Sequence, residues 1–225
     1  MTDQLRVILE IGKKRRIVAG AMDWPGLDRW GTSEDDALAK LESYLSRYAG
    51  VAERAGLSSA FKRAGPMTVV ERVPGSSSTD FWGIAHVPSE LEREVLSEKD
   101  LERRLAVLQA SWSFFDDTAS RVSAELAPGP RSAGRTREQI IRHMYGNEPE
   151  QFSRKVEVRT PLEVVLTPDG LDVHRAAYLD AIREYNVERK PARTWPIQFL
   201  IRRTAQHAMD HAWEMEDRDL TGDRG

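Results

Sequence analysis

The first ninety residues alternate between strand-like and helix-like hydrophobic patterns. Apolar positions partly alternate over residues 5–11, and a second apolar run, IVAGAM, follows the basic turn GKKRR, which is typical of a β-hairpin. A helix is predicted to begin after Ser33, which forms a capping pair with Asp36. Its apolar stripe consists of Ala37, Leu38, Leu41, Leu45 and Tyr48. The runs MTVVERV and DFWGIAHV, joined by the Ser-rich turn PGSSST, predict two further strands. We therefore expect a small α+β domain over residues 1–90.

From Ser97 onward the hydrophobic pattern changes to helices separated by Pro- and Gly-rich breaks. Four helices are predicted: residues 97–126, a second helix that begins at the capping box of Thr136 and Gln139, residues 168–188, and residues 194–217. A strand-like run, PLEVVL, lies between the second and third helices. Four amphipathic helices of this length predict a four-helix bundle over residues 91–225. The fold class is therefore α+β, and we expect the bundle, from about Glu94 on, to fold without the first ninety residues.

Composition narrows the classes of protein to which the chain can belong. The 225 residues contain no cysteine, which excludes disulfides and suits a reducing cytoplasm. No segment approaches the roughly 20 apolar residues of a membrane span, so we expect a soluble cytoplasmic protein with no membrane partner. The formal net charge is -3, so no global field attracts nucleic acid. The basic run Lys13–Arg16 is interpreted as a solvated hairpin turn, with phosphate contact as the alternative.

Two histidines lie four residues apart in the last predicted helix. Because each helical residue turns by about 100°, His207 and His211 lie about 40° apart on one face. The apolar residues Ile197, Leu200, Ile201, Ala208, Ala212 and Met215 lie on or beside that face, together with the polar Thr204. The pair therefore points into the predicted bundle. Two buried imidazoles need hydrogen-bonding partners and cannot both be charged, and a divalent cation satisfies both requirements.

A third ligand is expected from the second helix of the bundle. His143 lies on the apolar face beside Ile140, where a neighbouring helix can present it to His207 and His211. Three imidazoles with an open coordination position are typical of a catalytic metal site, and zinc and nickel are the favoured ions. The alternative interpretation is that each histidine is an ordinary hydrogen-bonded core or surface residue. For three inward-pointing histidines together, the metal site is the preferred hypothesis.

Two carboxylates are candidates for proton transfer at this site. The last helix has Ala208 where a His-Glu-x-x-His zinc protease has its glutamate, so a general base must come from elsewhere. Glu148 and Glu214 are the nearest carboxylates by spacing, and each is a catalytic candidate. Either could instead hold the second N–H of a ligand histidine or form an ion pair. His174 is interpreted as a hydrogen-bonded core histidine, and His86 has no evident partner in the sequence.

The stretches TREQIIRHMYGNE and HAMDHAWEMEDR give the second half of the chain a family resemblance. With one histidine on the second helix and His-x-x-x-His on the fourth, residues 97–220 resemble the DinB/YfiT-like superfamily of metal-binding four-helix bundles. The resemblance maps the metal ligands onto His143, His207 and His211. It also implies a possible reaction class, because the superfamily includes transferases and isomerases that use low-molecular-weight thiols such as bacillithiol or mycothiol. Pro149 departs from a continuous second helix and predicts a kink or break there.

The first half of the chain resembles a second family through shorter features. The stretch DWPGLDRWGTSEDDALAKLESYLSRY is similar to the HicB-like antitoxin domain in its hairpin, its Pro-Gly-Leu turn and the Gly-Thr that leads into a helix. This resemblance implies a module for recognition or dimerisation, so a protein partner or a homodimer is expected there. The leading functional hypothesis is a divalent-metal-dependent enzyme acting on a small molecule, in particular a thiol-dependent transferase. A metal-dependent hydrolase and a non-catalytic metal-binding protein are the alternatives.

Overall fold

A four-stranded sheet forms the first part of the chain in the computed structural model, which describes residues 4–129 and 134–221. Its strands are β1 (Leu5–Ile11), β2 (Ile17–Ala21), β3 (Asp28–Gly31) and β4 (Met67–Pro74), arranged in the order β3-β2-β1-β4. β1 and β2 form the predicted antiparallel hairpin, and β3 continues the antiparallel pairing. β4 pairs with β1 in parallel, so a helical crossover separates these two strands along the chain.

The prediction of a strand at DFWGIAHV is wrong. Residues Ser77–Trp82 form a short helix, α4, and the segment after it joins no strand of the described sheet. The Ser-rich stretch taken for a hairpin turn is instead a helix start, because the Ser76 hydroxyl accepts hydrogen bonds from the backbone N–H groups of Ser78 and Thr79. Strand β3 was not predicted, since four residues are too few to show an alternating pattern.

Three helices connect β3 to β4: α1 (Glu34–Ser43), α2 (Leu45–Arg54) and α3 (Ser58–Lys62). Ser33 caps α1 by accepting a hydrogen bond from the Asp36 N–H, as predicted. The single predicted helix is divided at Tyr44, which ends α1 and begins α2. The predicted apolar stripe is nevertheless largely confirmed, because Ala37, Leu41 and Tyr48 are all fully buried.

The second part of the chain is helical, which confirms the α+β class. Its helices are α5 (Glu98–Arg121), α6 (Arg137–Asn147), α7 (Leu162–Val165), α8 (Pro168–Val187) and α9 (Ile197–Asp217). The predicted strand PLEVVL is wrong, because most of it is the one-turn helix α7. α9 contacts α5, α6 and α8 and is the central helix of this region. Among the described helices, none has the length and apolar character needed to span a membrane.

α6, the second helix of the helical region, ends where Pro149 predicts a break. α6 stops at Asn147, and the chain continues as a π-helical segment, Glu148–Phe152, and a 3-10 turn, Ser153–Val156. Proline has no N–H and its ring clashes with the preceding turn, so a regular α-helix cannot continue through it. The wider turn carries Phe152 back into the core, where it is buried.

One hydrophobic core runs through both parts of the chain. Leu27 of the sheet region, Leu105 of α5 and Met209 of α9 belong to the same buried cluster. The turn before β3 lies directly on α9: a β-carbon on Gly26, which has φ +91, would lie 3.1 Å from the Ala205 carbonyl oxygen. The division at residue 90 stays a prediction, and no gap in the core marks it among the described residues.

Buried charges also join α9 to the first part of the chain. Arg202, in the first half of α9, lies 3.0 Å from the Glu92 carboxylate and 3.4 Å from the Asp28 carboxylate. All three side chains are almost fully buried. Because a charge left alone in the core is strongly destabilising, these three residues depend on one another.

Candidate metal centre

Two helices position the three histidines. α6 begins at the predicted capping box, in which the Thr136 hydroxyl accepts from the Gln139 N–H and the Gln139 side chain accepts from the Thr136 N–H. This cap sets the start of the helix, and Ile140 and Met144 anchor its inner face in the core. His143 lies between these two anchors in sequence, and α6 packs against the part of α9 that carries His207 and His211.

The structure brings His143, His207 and His211 together. One potential ligand atom from each lies within 4.8 Å of the other two. The Nε2 atoms of His143 and His207 are 3.4 Å apart. The ring of His211 lies 4.9 Å from that of His143 and 4.7 Å from that of His207, measured between centroids. The predicted three-histidine cluster therefore exists, and each of its members is partly buried.

The spacing of these nitrogens fits a bound metal ion. Zinc–nitrogen bonds of about 2.0–2.1 Å at tetrahedral angles place two ligand nitrogens about 3.3 Å apart. The observed 3.4 Å between His143 and His207 matches that edge of a tetrahedron. A ligand atom of His211 lies within 4.8 Å of the other two and would move closer to complete a triangle of ligands, which leaves one tetrahedral position open.

A carboxylate fixes the orientation of His211. The Nδ1 atom of His211 lies 2.9 Å from the Glu214 carboxylate, which also accepts a hydrogen bond of 2.6 Å from Arg218. Burial raises the pKa of Glu214, but hydrogen bonding and charge attraction from His211 and Arg218 outweigh it and lower the pKa below its usual value. An ionised Glu214 accepts a hydrogen bond from Nδ1–H of His211, which leaves the lone pair of Nε2 available for a metal. Arg218 was missed in the sequence, although it lies four residues after Glu214 on the same helix.

Asn147 supports His143 at the end of α6. Its amide nitrogen donates to the His143 carbonyl oxygen at 2.7 Å and lies 3.1 Å from Nδ1 of the same residue. The amide therefore packs against the ring and restricts its rotation. The sequence contained a signal for this contact, since residues four apart on a helix are neighbours, but Asn147 was not among the predicted site residues.

The environment keeps two of the three imidazoles neutral. Burial, with added repulsion from His211 and Arg135, lowers the pKa of His143 to about 4. Burial, followed by repulsion from His211 and His143, lowers the pKa of His207 well below its usual value. The Nδ1 atom of His207 is buried and has no hydrogen-bonding partner in the described parts of the chain. The centroid of the Phe152 ring lies 5.4 Å from that of the His207 ring. Neutral imidazole is the form that binds metals.

The structure places Glu148 in a buried ion pair. Both of its carboxylate oxygens face Arg175, at 2.8 and 3.2 Å, and Arg175 also contacts Asp116 at 2.7 Å. Burial lowers the pKa of Arg175, but attraction from Glu148 and Asp116 outweighs it, so the pKa of the guanidinium lies above its usual value. Glu148 is fully buried and joins the end of α6 to α8. Of the two carboxylates proposed from spacing, Glu214 forms a hydrogen bond with a histidine of the cluster, whereas Glu148 is bonded to Arg175.

The two remaining histidines lie elsewhere. His174 is 1 % exposed in α8, and its Nδ1 pairs with the Thr160 hydroxyl at 2.8 Å, so the predicted core position is confirmed. Its Nε2 atom is buried without a hydrogen-bonding partner among residues 4–129 and 134–221. His86 follows α4, and its backbone N–H donates to the buried Glu10 carboxylate.

Comparison of the chain with protein-family models, curated proteins and solved structures finds no match. The resemblance to DinB/YfiT-like and HicB-like proteins therefore stays a prediction from sequence motifs. The functional argument depends on the geometry of the histidine cluster itself.

Proposed function

We propose that the protein binds one divalent metal ion, zinc or nickel, through His143, His207 and His211. The observation that carries the proposal is the convergence of three imidazoles from two helices at ligand spacing. The ordered hydrogen bond from His211 to Glu214 supports it, because histidine ligands characteristically donate their second N–H to a carboxylate. Three protein ligands with an open position favour catalysis over a purely structural role.

We further propose that the protein is a thiol-dependent transferase. A divalent ion held by neutral ligands keeps its full charge, and when bound it lowers the pKa of a thiol or a water molecule. The chain contains no cysteine, so a thiol nucleophile would arrive as a small cosubstrate. A reduced thiol and a cysteine-free chain both suit a reducing cytoplasm, where we place the protein.

The two carboxylates receive different roles in this proposal. Glu214 is a positioning residue, since it orients His211 and its remaining oxygen is bonded to Arg218. Glu148 maintains the break after α6, because both of its oxygens are engaged by Arg175 and it is shielded from solvent. Proton transfer to or from a substrate is therefore assigned to neither residue in the resting structure.

Metal content tests the first part of the proposal. We expect purified wild type, reconstituted with zinc or nickel and desalted, to hold about one ion per chain by elemental analysis. The His207→Ala variant should lose that ion, whereas His86→Ala, which removes a histidine outside the cluster, should keep it. Equal, substoichiometric metal in all three proteins would refute the site.

A reaction panel tests the second part. Metal-loaded wild type and His211→Ala are incubated with small electrophiles, with and without bacillithiol or mycothiol, and product formation is followed by mass spectrometry. Thiol-dependent turnover that is lost in His211→Ala supports a transferase. Thiol-independent hydrolysis would identify the hydrolase alternative. No turnover in a protein that holds stoichiometric metal would favour a non-catalytic role.

A further inference from the structure

The tip of the β1–β2 hairpin is hydrogen-bonded to α4. The Asp80 carboxylate accepts hydrogen bonds from the backbone N–H groups of Lys14, Arg15 and Arg16, at 3.0, 3.0 and 3.2 Å. The acidic side chain is thus engaged with the backbone of the turn. The side chains of Lys13, Lys14 and Arg15 stay exposed, so the turn presents fixed positive charge to solvent.

Two aromatic rings are exposed on α4, next to this turn. Phe81 is 68 % exposed and Trp82 is 51 % exposed, and their ring centroids are 4.5 Å apart. Arg16 bonds to the Phe81 carbonyl oxygen, which ties the aromatic pair to the hairpin. Contiguous exposed apolar rings beside polar groups are typical of interaction sites, so this pair is a candidate contact surface.

A third aromatic residue connects the helix to the sheet. Trp30 of β3 packs so closely on Gly83 that a β-carbon there would lie 2.6 Å from the indole. The guanidinium of Arg16 lies 4.4 Å from the Trp30 ring centroid, and the Lys40 ammonium lies 4.9 Å from it. Arg16 therefore links the hairpin to both β3 and α4, so cations and aromatic rings lie side by side in this region. We call it the basic–aromatic face, formed by Lys13, Lys14, Arg15, Trp30, Phe81 and Trp82.

We propose that the basic–aromatic face binds single-stranded nucleic acid. Proteins that bind single strands combine cations that contact phosphates with aromatic rings on which bases stack, and this face offers both. The net charge of the chain is -3, so the attraction is local to this face rather than a property of the whole surface.

A lipid surface fits the same face less well. Interfacial anchors use a long amphipathic helix or a lipid chain to bury enough apolar area, whereas α4 has six residues. The sequence alone favoured a solvated turn for Lys13–Arg16, because Phe81 and Trp82 lie more than 60 residues away along the chain. Folding through the Asp80 contacts brings the two segments together.

Fluorescence anisotropy with a labelled 20-nucleotide single strand tests this proposal on the full-length protein. We expect binding that weakens as salt rises. Replacing Lys13, Lys14 and Arg15 together by alanine should weaken binding at least tenfold and reduce the slope of log K against log salt by about 2, at roughly 0.7 per phosphate contact. Trp82→Ala should weaken binding at least fivefold, with little change in that slope.

A Lys62→Ala, Arg63→Ala double variant is the matched control and should bind as wild type does. It removes two exposed cations, one at the end of α3 and one at its C-cap.

Several outcomes would overturn the proposal. Absence of binding at low salt would do so, as would equal affinity for a duplex of the same sequence, because a duplex offers no free base for stacking. An equal loss in the Lys62, Arg63 variant would show a nonspecific charge effect. Binding to vesicles that contain phosphatidylserine, without binding to the oligonucleotide, would assign the face to a membrane instead.

Discussion

Nδ1 of His211 and the Glu214 carboxylate lie 2.9 Å apart, one helical turn from each other on α9. This contact orients the third ligand of the proposed metal site. We expect Glu214→Ala to weaken zinc or nickel binding by about 10–100-fold, the usual cost of losing a carboxylate behind a histidine ligand. Isothermal titration calorimetry measures the change.

The matched control for Glu214 is Glu216→Ala. Glu216 also lies on α9, but its carboxylate pairs with Arg47 at 2.9 Å rather than with a histidine of the cluster. Its metal affinity should equal that of wild type. If Glu214→Ala binds metal as tightly as Glu216→Ala does, the hydrogen bond to His211 does not position a ligand.

Metal binding should stabilise the folded protein. An ion that binds the native state at a free concentration 100 times its dissociation constant adds about 2.7 kcal/mol. For a chain of this size that corresponds to a rise in Tm of roughly 5–10 °C, which differential scanning fluorimetry detects. Chelation should reverse the rise, and His143→Ala should show none. A comparable rise in His143→Ala would place the stabilising ion elsewhere.

Breaking the Glu148–Arg175 pair should be strongly destabilising. Arg175→Met leaves a fully buried carboxylate without its partner, at a cost of about 3–5 kcal/mol in the free energy of unfolding measured in urea. Adding Glu148→Gln removes the stranded charge and should recover part of the loss. No recovery in the double variant would show that Arg175 acts chiefly through Asp116.

His174 should make stability depend on acid pH. Burial, with added repulsion from Arg175, lowers its pKa from 6.5 to about 4. Between these values the unfolded chain binds the proton and the folded chain does not, so the free energy of unfolding falls as pH falls from 6.5 towards 4. The slope is at most about 1.4 kcal/mol per pH unit between these two pKa values, and the loss of stability from this group disappears above pH 6.5.

The comparison for His174 is His174→Gln, with both proteins free of metal. Urea unfolding at several pH values between 4 and 7 should give a shallower dependence for the variant, since the other titrating groups are common to both. Parallel curves would show that His174 does not contribute.

The fragment from Glu94 to the C-terminus should not reach a well-packed state on its own, which reverses the expectation from sequence. It would lack both Asp28 and Glu92, leaving the buried Arg202 without the two carboxylates that pair with it, and would expose the side of α9 that Gly26 covers. Near-UV circular dichroism should show weak aromatic signals. A native-like spectrum with cooperative unfolding would confirm two separable domains instead.

Much of the helical region could be predicted because its signals are local. The caps at Ser33, Ser97 and Thr136 act within three residues, and each is present in the structure. α8 and α9 follow the predicted helices within a few residues. The shared face of His207 and His211 follows from the turn of the helix alone, so this part of the histidine cluster was accessible to sequence reasoning.

Only the tertiary structure decided the contacts between distant segments. The parallel pairing of β1 with β4, the pairing of Glu148 with Arg175 and the anchoring of the hairpin by Asp80 each join residues at least 27 positions apart. Their geometry depends on how whole elements pack, which local propensity does not encode. The sequence by itself determined which side chains could serve as ligands and caps, and packing determined that Glu214 supports a histidine while Glu148 is held in an ion pair.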